Sequence, residues 1–183
     1  MSSILTCWGC IDARVMERLQ RIKLVAFDVD GTLTDGGVYL DNKDGEFKKF
    51  NTKDGLGVAQ LRKFGIHCAV ITGRNSPIVT RRMQELKVDV VCQGIADKAE
   101  ELARIKAELH LSQDETAAVG DDLNDLPMFS EAGFTFCPGD AHPYMLQVCD
   151  YVLPLEGGRG AVRVLSDLIL MAQGKISPEG GLI

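Results

Sequence analysis

The fold of this chain is decided by residues 24–36, which read LVAFDVDGTLTDG. Four apolar residues, Leu24–Phe27, predict a short buried strand, and Asp28 and Asp30 follow at the point where it ends. In an open α/β sheet, ligands bind at the carboxyl ends of the parallel strands. We therefore expect an α/β domain whose functional site contains these two acidic side chains.

Five more strand-like apolar runs alternate with helical patterns along the rest of the chain. The predicted strands after the first are Cys68–Ile71, Val88–Cys92, Ala117–Val119, Phe134–Cys137 and Tyr151–Leu153. The predicted helices are Lys53–Phe64, Pro77–Leu86, Lys98–Leu109, Leu123–Ala132 and Ala161–Met171. Strands that alternate with helices are joined by right-handed crossovers. The pattern predicts a doubly wound, mostly parallel, Rossmann-like sheet with helices on both faces.

One segment interrupts this alternation directly after the first strand. Two short extended runs, Val38–Leu40 and Glu46–Phe50, flank the turn-forming stretch Asp41–Gly45. Asn, Asp and Gly between two such runs are typical of a β-hairpin. We expect a small hairpin flap that projects over the carboxyl ends of the strands.

The composition argues against several classes of protein. The chain has 20 basic and 26 acidic side chains among 183 residues, a net charge of −6, whereas a nucleic-acid-binding surface needs clustered Lys and Arg. No apolar run approaches the roughly 20 residues of a membrane span. The N-terminus lacks the pattern of a secretory signal. We therefore expect a cytoplasmic protein with no nucleic-acid or membrane partner.

The chain is expected to divide into three segments. Residues 1–20 are interpreted as an N-terminal extension outside the fold, residues 21–175 as the domain itself, and residues 176–183 as a flexible C-terminal tail. The extension contains Cys7 and Cys10 in a Cys-x-x-Cys arrangement. A zinc site would need a second pair of ligands, and none is suitably spaced, so a role for these cysteines stays undecided.

Polar side chains follow the ends of other predicted strands as well. They are Thr72 and Arg74 after the second strand, Lys98 at the start of a helix, and Asp121, Asp122 and Asp125 after the fourth strand. Because the carboxyl ends of parallel strands meet at one edge of the sheet, we expect these side chains to lie together. Crowded carboxylates without histidine or cysteine partners favour Mg²⁺. Lysine and threonine beside such an ion are suited to holding a phosphoryl group.

The spacing of these residues resembles the haloacid dehalogenase superfamily of phosphohydrolases. The resemblance rests on four motifs in order, which are Asp28-x-Asp30-Gly31-Thr32, Thr72, Lys98 and Gly120-Asp121-x-x-x-Asp125. Further stretches are similar to the 3-deoxy-D-manno-octulosonate 8-phosphate phosphatases within it, namely Asp28–Gly37, Phe50–Gly55, Ile71–Arg74, Ala141–Pro143, Gly157–Arg163 and Ala172–Lys175. The resemblance implies that there is no large cap domain and that hairpins help to assemble a homotetramer.

The resemblance also implies a role for each acidic residue. Asp28 would attack phosphorus and become an aspartyl phosphate, and Asp30 would protonate the leaving sugar oxygen and later take a proton from water. Magnesium would be held by the Asp28 and Asp121 carboxylates and by the backbone carbonyl of Asp30. Asp125 would hold a lysine or a metal-bound water in place, and Asp122 would either do the same or begin a helix.

The remaining candidate residues would bind the substrate. Thr72 and Lys98 would bind the phosphoryl oxygens. Arg74 and Arg159 are further candidates, because a sugar-acid phosphate carries a carboxylate as well as a phosphate, and guanidinium binds either group through two hydrogen bonds. The flap residue Lys48 is consistent with a solvated face or with a neighbouring subunit's site, and both interpretations stay open.

The function implied by the resemblance is magnesium-dependent hydrolysis of 3-deoxy-D-manno-octulosonate 8-phosphate in lipopolysaccharide sugar biosynthesis. A phosphatase for the nine-carbon nonulosonate 9-phosphates is an alternative, because the same domain serves both substrates. A signalling receiver domain also places aspartates, threonine and lysine at strand ends, but it separates its acidic pair from the phosphorylated aspartate by two strands. A non-catalytic module would be expected to lack the nucleophile or a metal ligand, and this chain has both.

Overall fold

The computed structural model describes residues 2–42 and 45–181. Its strands are β1 (Ser3–Thr6), β2 (Gly9–Asp12), β3 (Leu24–Phe27), β4 (Tyr39–Leu40), β5 (Glu46–Phe47), β6 (His67–Thr72), β7 (Val90–Gln93), β8 (Thr116–Val119), β9 (Phe134–Cys137) and β10 (Tyr151–Val152). Its α-helices are α1 (Ala13–Leu19), α2 (Thr52–Lys63), α3 (Pro77–Glu85), α4 (Lys98–Leu109), α5 (Leu126–Ser130), α6 (Met145–Val148) and α7 (Ala161–Ala172).

The central sheet has six parallel strands in the order β10-β9-β8-β3-β6-β7. After β3 the chain adds β6 and β7 on one side, and it then crosses to the other side to add β8, β9 and β10. The strand order therefore reverses beside β3, and such a reversal opens a crevice at the carboxyl ends of the strands. The predicted α/β fold with a parallel sheet is confirmed.

Side chains of β3 alternate between the two layers of the core. Val25 and Phe27 pack under α1, α2, α3 and α7, whereas Leu24 and Ala26 pack under α4, α5 and α6. This alternation follows from the two-residue period of a strand, and it is why a strand covered on both faces is apolar throughout. The central strand thus ends in a rigid, fully buried frame immediately before Asp28.

Helix α7 is positioned by a buried carboxylate from α2. The Asp54 carboxylate accepts hydrogen bonds from the backbone N–H groups of Gly160 (3.1 Å) and Arg163 (2.9 Å) at the start of α7. Side-chain oxygens satisfy N–H groups that have no partner within the first turn of a helix. Residue 57 must be small, because a Cβ there would lie 2.8 Å from the Ser166 hydroxyl. The two helices therefore pack closely beside the site.

The first twenty residues belong to the packed domain, which corrects the expectation of an extension outside the fold. Strands β1 and β2 form an antiparallel hairpin, and α1 buries Met16 and Leu19 in the core. The indole N–H of Trp8 donates a hydrogen bond to the Asp167 carboxylate on α7 at 3.1 Å. The segment has too few apolar residues to show the periodicity of a helix or a strand, so its sequence did not predict these elements. Each apolar side chain nevertheless stabilises the fold once it is buried.

The C-terminal segment is likewise anchored at its start. Ile176 is buried in the same core cluster as α7, and the carbonyl of Pro178 accepts a hydrogen bond from the backbone N–H of Cys7 at 2.8 Å. The expectation of a wholly flexible tail over residues 176–183 is therefore wrong at its beginning, because an apolar side chain there reaches the core. Leu182 and Ile183 lie outside the described residues.

The flap and one helix differ in detail from the sequence prediction. Strands β4 and β5 form the expected hairpin, in which Tyr39 pairs with Phe47, while Lys43 and Asp44 in its turn lie outside the described residues. The predicted helix Leu123–Ala132 is divided into a 3-10 turn at Leu123–Asp125 and helix α5. None of the helices in the described ranges is long and apolar enough to cross a membrane.

Candidate active site

Four segments of the chain meet at the carboxyl edge of the sheet. Asp28 follows β3, Thr72 ends β6, Asp121 follows β8, and Lys98 is the first residue of α4. The first two strands are neighbours in the sheet, and β8 lies on the other side of β3. Asp28, Thr72 and Lys98 are buried. The topology therefore places a carboxylate, a hydroxyl and an ammonium group around one crevice.

Lys98 connects two of the buried carboxylates. Its Nζ lies 2.5 Å from the Asp28 Oδ1 atom and 2.6 Å from the Asp125 Oδ1 atom. The carboxylate of Asp97 accepts hydrogen bonds from two backbone N–H groups at the start of α4, both at 3.0 Å, and so begins the helix at Lys98. A buried ammonium group needs such carboxylate partners, and here they fix its position.

Asp125 organises the loop after β8. Its second carboxylate oxygen accepts the backbone N–H groups of Asp121 at 3.0 Å and Asp122 at 3.3 Å. A Cβ at residue 120 would lie 2.3 Å from this carboxylate, so glycine is required there. Asp122 itself is exposed, and its carboxylate accepts the N–H of Leu123 at 2.7 Å. The structure thus places Asp125 against Lys98 and Asp122 at the solvent-facing start of a short helix.

Three carboxylates form a compact cluster in the crevice. Asp28, Asp121 and Asp125 each offer an oxygen within 4.8 Å of the others. Burial, together with the charge of Asp125, raises the pKa of the Asp28 carboxyl to about 7, although Lys98 opposes this shift. Burial first, and Asp125 second, also raise the pKa of Asp121 to about 7. Only one ammonium group, that of Lys98, contacts this cluster among the described residues.

The cluster fits a hard divalent cation. Its donors are all oxygen atoms, which Mg²⁺ prefers, and the excess of negative charge is what such an ion neutralises. Residue 31 allows the close approach, because its φ is +92° and a Cβ there would lie 2.1 Å from the Asp121 carboxylate. The Thr32 hydroxyl donates to the other Asp121 oxygen at 3.3 Å. Asp28 and Asp121 are therefore the carboxylates best placed for a metal, since Asp125 is occupied by Lys98 and the backbone.

The flap of this same chain closes over Asp30. The ammonium group of Lys48 contacts the Asp30 carboxylate, and its side chain is only 2% exposed. Glu46, two residues earlier, accepts hydrogen bonds from the Ser76 hydroxyl at 2.8 Å and from Arg74 at 3.2 Å. The structure thereby connects β5, the start of α3 and the second acidic residue of the motif.

Arg159 lies on a glycine-rich loop that is packed against the first motif. The N–H of Gly158 donates to the Thr32 carbonyl at 3.0 Å, and a Cβ at residue 157 would lie 1.7 Å from the carbonyl oxygen of Gly31. The guanidinium of Arg159 is more than half exposed and pairs with Glu156 at 2.9 Å. Its loop is thus fixed at the rim of the crevice while its side chain reaches solvent.

Sequence reasoning did not assign a site role to Glu46, Ser76 or Lys48. The alternation of Glu46, Phe47 and Lys48 is a signal that the first and third face one way. It does not tell which face of the hairpin is turned toward the sheet. That choice depends on contacts with Asp30, which is 18 residues away from Lys48 in the chain.

Comparison with known proteins agrees with this geometry. Residues 91–165 match the haloacid dehalogenase-like hydrolase family. The 3-deoxy-D-manno-octulosonate 8-phosphate phosphatase of Escherichia coli K12 is 38% identical over 180 residues, which are 98% of this chain and 96% of that protein.

This chain belongs to the 3-deoxy-D-manno-octulosonate 8-phosphate phosphatase family.

Solved structures of this phosphatase family have the same fold. The Yersinia pestis phosphatase superposes with a TM-score of 0.94 at 38% identity, covering 99% of this chain and 98% of that one. The Moraxella catarrhalis phosphatase, solved in complex with magnesium, phosphate and KDO, has a TM-score of 0.87 at 38% identity and covers 90% of this chain and 94% of that one. The resemblance seen in the sequence is confirmed, and it extends into the N-terminal hairpin that the motifs did not reach.

Proposed function

We propose that this chain is a magnesium-dependent phosphatase that hydrolyses 3-deoxy-D-manno-octulosonate 8-phosphate in lipopolysaccharide sugar biosynthesis. The observation that carries the proposal is the arrangement of Asp28 and Asp30 at the end of one strand. Lys98 contacts the Asp28 carboxylate, and Asp121 and Asp125 form an acidic cluster with Asp28. The names of the relatives supply the substrate. A receiver domain or a non-catalytic module is disfavoured by the same arrangement.

The reaction would proceed in two displacements at phosphorus. In the first, a carboxylate oxygen of Asp28 forms a bond to phosphorus while the bond from phosphorus to the sugar oxygen breaks, and Asp30 gives that oxygen a proton. In the second, Asp30 takes a proton from water, the water oxygen bonds to phosphorus, and the aspartyl bond breaks to release phosphate. Lys98 holds one Asp28 oxygen, which leaves the other for attack.

The charge of the phosphoryl group would be balanced from two sides. The Lys98 ammonium and the Thr72 hydroxyl, at the start of α4 and the end of β6, would contact the phosphoryl oxygens. The Asp28 and Asp121 carboxylates and the Asp30 carbonyl would hold magnesium, which when bound supplies further positive charge at those oxygens. Asp125 keeps Lys98 in position through the 2.6 Å contact.

Lys48 is a positioning residue for Asp30 in this proposal. Its nearly covered side chain holds the Asp30 carboxylate at the edge of the crevice, where a leaving oxygen would arrive. Arg74 pairs with Glu46 on β5, and the exposed Arg159 lies on the glycine-rich loop at the rim of the crevice. Each would supply positive charge for a sugar carboxylate. The substrate's acid group would be bound at this rim rather than in the buried cluster.

A homotetramer assembled through the flaps is the proposed oligomeric state. The flap exposes large apolar side chains, with Leu40 72% and Phe47 62% exposed. Exposed apolar surface of this kind is typical of a protein–protein interface. Sedimentation of a Leu40→Asp/Phe47→Asp variant tests the proposal, because a charge on each flap should convert the tetramer into smaller species. A variant that sediments like the unmodified protein would argue against this interface.

A cytoplasmic location is proposed for the same molecule. All six cysteines are free thiols, including four that are buried or half-buried. Thiols persist in a reducing compartment, whereas oxidising compartments favour disulfides. Fractionation of the native host followed by immunodetection would test the location.

The decisive test of the activity is a phosphate-release assay with purified full-length protein. The substrates are the eight-carbon sugar-acid 8-phosphate, a nine-carbon sugar-acid 9-phosphate and p-nitrophenyl phosphate, each with magnesium or with a chelator. We expect the eight-carbon substrate to have the highest kcat/KM and the chelator to stop release. Asp30→Asn should lower the rate on the sugar phosphate about 10²–10⁴-fold, because it removes the general acid. Preference for the nine-carbon substrate would replace the proposed substrate, and full activity in the chelator would exclude the metal.

A further inference from the structure

Two cysteines outside the phosphatase site are in direct contact. Cys137 is the last residue of β9, and Cys149 directly follows α6, two residues before β10 begins. Their Sγ atoms are 2.8 Å apart, and both are free thiols. Neither residue was assigned a role by the catalytic motifs. The two chain segments are also joined in the sheet, because β10 pairs with β9 in parallel.

The two thiols differ in environment in a way that suits a pair of reactive and resolving cysteines. Cys137 is fully buried, whereas Cys149 is partly exposed. The hydrogen bond between them lowers the pKa of the Cys149 thiol, and the same bond together with burial raises the pKa of Cys137. Cys149 therefore carries more thiolate than Cys137. The thiolate is the form that attacks oxidants, and the partner thiol lies beside it.

We propose that Cys137 and Cys149 form a reversible intramolecular disulfide when hydrogen peroxide reaches Cys149. The Cys149 thiolate attacks one peroxide oxygen, the O–O bond breaks, and the products are a sulfenic acid on Cys149 and one water after protonation of the leaving oxygen. The Cys137 sulfur then bonds to the Cys149 sulfur while the S–O bond breaks, and the Cys137 proton leaves with the hydroxyl as a second water. Both sulfurs are oxidised, and hydrogen peroxide is reduced to two waters.

The disulfide would close a ring around the loop that supports the active site. Within this loop, the N–H of His142 donates to the Asp121 carbonyl at 2.8 Å. The carboxylate of Asp140 accepts the N–H of Gly157 at 2.9 Å, which anchors the loop that carries Arg159. Because the sulfurs are already in contact, the bond forms with little movement of these groups. The disulfide reduces the conformational freedom of the unfolded chain, and so it stabilises the folded loop whose His142 N–H contacts Asp121.

The linkage can be read directly from the full-length protein. A protease that cuts before aspartate separates the two cysteines into fragments 125–139 and 140–149, which stay together only through a disulfide. After treatment with a small excess of hydrogen peroxide, we expect these fragments to be linked and to separate on addition of dithiothreitol. The melting temperature Tm should rise by about 5–10 °C on oxidation and return on reduction. Fragments that remain separate, or that carry a sulfinic acid on Cys149, would overturn the proposal.

Three variants distinguish this pair from the other thiols. Cys137→Ala should leave a sulfenic acid on Cys149 that dimedone labels, whereas dimedone should label the unmodified protein there weakly or not at all. Cys149→Ala should give neither the linked fragments nor a rise in Tm. Because Cys149 is only half-buried, this variant also tests the proposal if Cys137→Ala impairs folding. Cys92→Ala, the matched control with another half-buried thiol, should retain both. A Tm rise in the Cys149→Ala variant would show that the stabilisation comes from elsewhere and would refute the assignment.

Discussion

Replacing Asp121 by asparagine should stabilise the metal-free protein while removing its response to magnesium. The Asp121 carboxylate lies in the cluster with Asp28 and Asp125, and its side chain has one hydroxyl donor, Thr32, at 3.3 Å. Burial and the charge of Asp125 raise its pKa from 3.8 to about 7. The ionised form is therefore disfavoured in the folded state, and an uncharged amide of the same shape removes that cost.

The sign and size of the effect follow from proton linkage. Between pH 3.8 and about 7 the folded state binds the proton that the unfolded state has lost, so the free energy of unfolding falls as pH rises through this window. A difference of about three pKa units corresponds to about 4 kcal/mol. The expected change in the free energy of unfolding is about half of this value, about 2 kcal/mol, because the Asp121 side chain keeps some contact with water. For a chain of this length, that raises Tm by about 4–8 °C above pH 7.

Thermal unfolding with and without magnesium measures both parts of this prediction. At pH 8 in a chelator, Asp121→Asn should melt above the unmodified protein, and at pH 4 the difference should nearly vanish. Magnesium should raise the Tm of the unmodified protein, because it binds the folded state alone, and should raise that of the variant much less. Phosphate release by the variant should fall at least 10²-fold, since a metal ligand is lost.

Asp122→Asn is the matched control for this experiment. Asp122 is the next residue, but it is exposed and caps a short helix, so its substitution should leave both the magnesium response and the turnover close to normal. The reasoning is refuted if Asp121→Asn melts at or below the unmodified protein at pH 8 in chelator. It is equally refuted if magnesium stabilises the Asp121 variant as strongly as the Asp122 variant.

Four further predictions concern the remaining parts of the site and the chain end. Asp28→Asn should retain a cooperative melt but release no phosphate in a deamidation-checked preparation, because the amide is a poor nucleophile. Lys48→Met should lower kcat/KM about 10–100-fold. The control Lys49→Met removes a half-exposed ion pair, and its kcat/KM should stay within about twofold of the unmodified protein. Equal effects of the two variants in steady-state assays would refute the positioning role of Lys48. Arg159→Ala should raise KM for the sugar-acid phosphate and leave that for p-nitrophenyl phosphate unchanged, since only the former has a carboxylate. Truncation after Lys175 should lower Tm by about 4–16 °C, because it removes an isoleucine from the core, and an unchanged melt would show that the chain end packs elsewhere.

The role of the flap shows where sequence reasoning stopped. Turn-forming residues between two extended runs predicted the hairpin, because that information is local. The contact of Lys48 with Asp30 was left open, since the flap could equally have faced solvent or a neighbour. The ion pairs of Glu46 with Arg74 and of Lys48 with Asp30 settle the direction in which the hairpin folds, and they join residues that are 28 and 18 positions apart.

The role of Asp122 was decided by packing. The resemblance gave Asp125 a positioning role, but it left Asp122 open between such a role and the start of a helix. Asp125 turns inward because its carboxylate accepts two backbone N–H groups and the Lys98 ammonium. A buried carboxylate needs such partners, whereas an exposed one does not.

The amino-acid sequence by itself determined the six strands of the central sheet and most of the helices between them, the hairpin after the first of these strands and the placement of Asp28, Asp30, Lys98 and Asp121 at one edge of the sheet. These follow from local periodicity and from the geometry of parallel strands, which each segment carries independently. The tertiary structure alone decided which side of the flap faces the site, how the first twenty residues pack and that Cys137 contacts Cys149. Those outcomes depend on contacts between distant segments, and such contacts exist only after the core has brought the segments together.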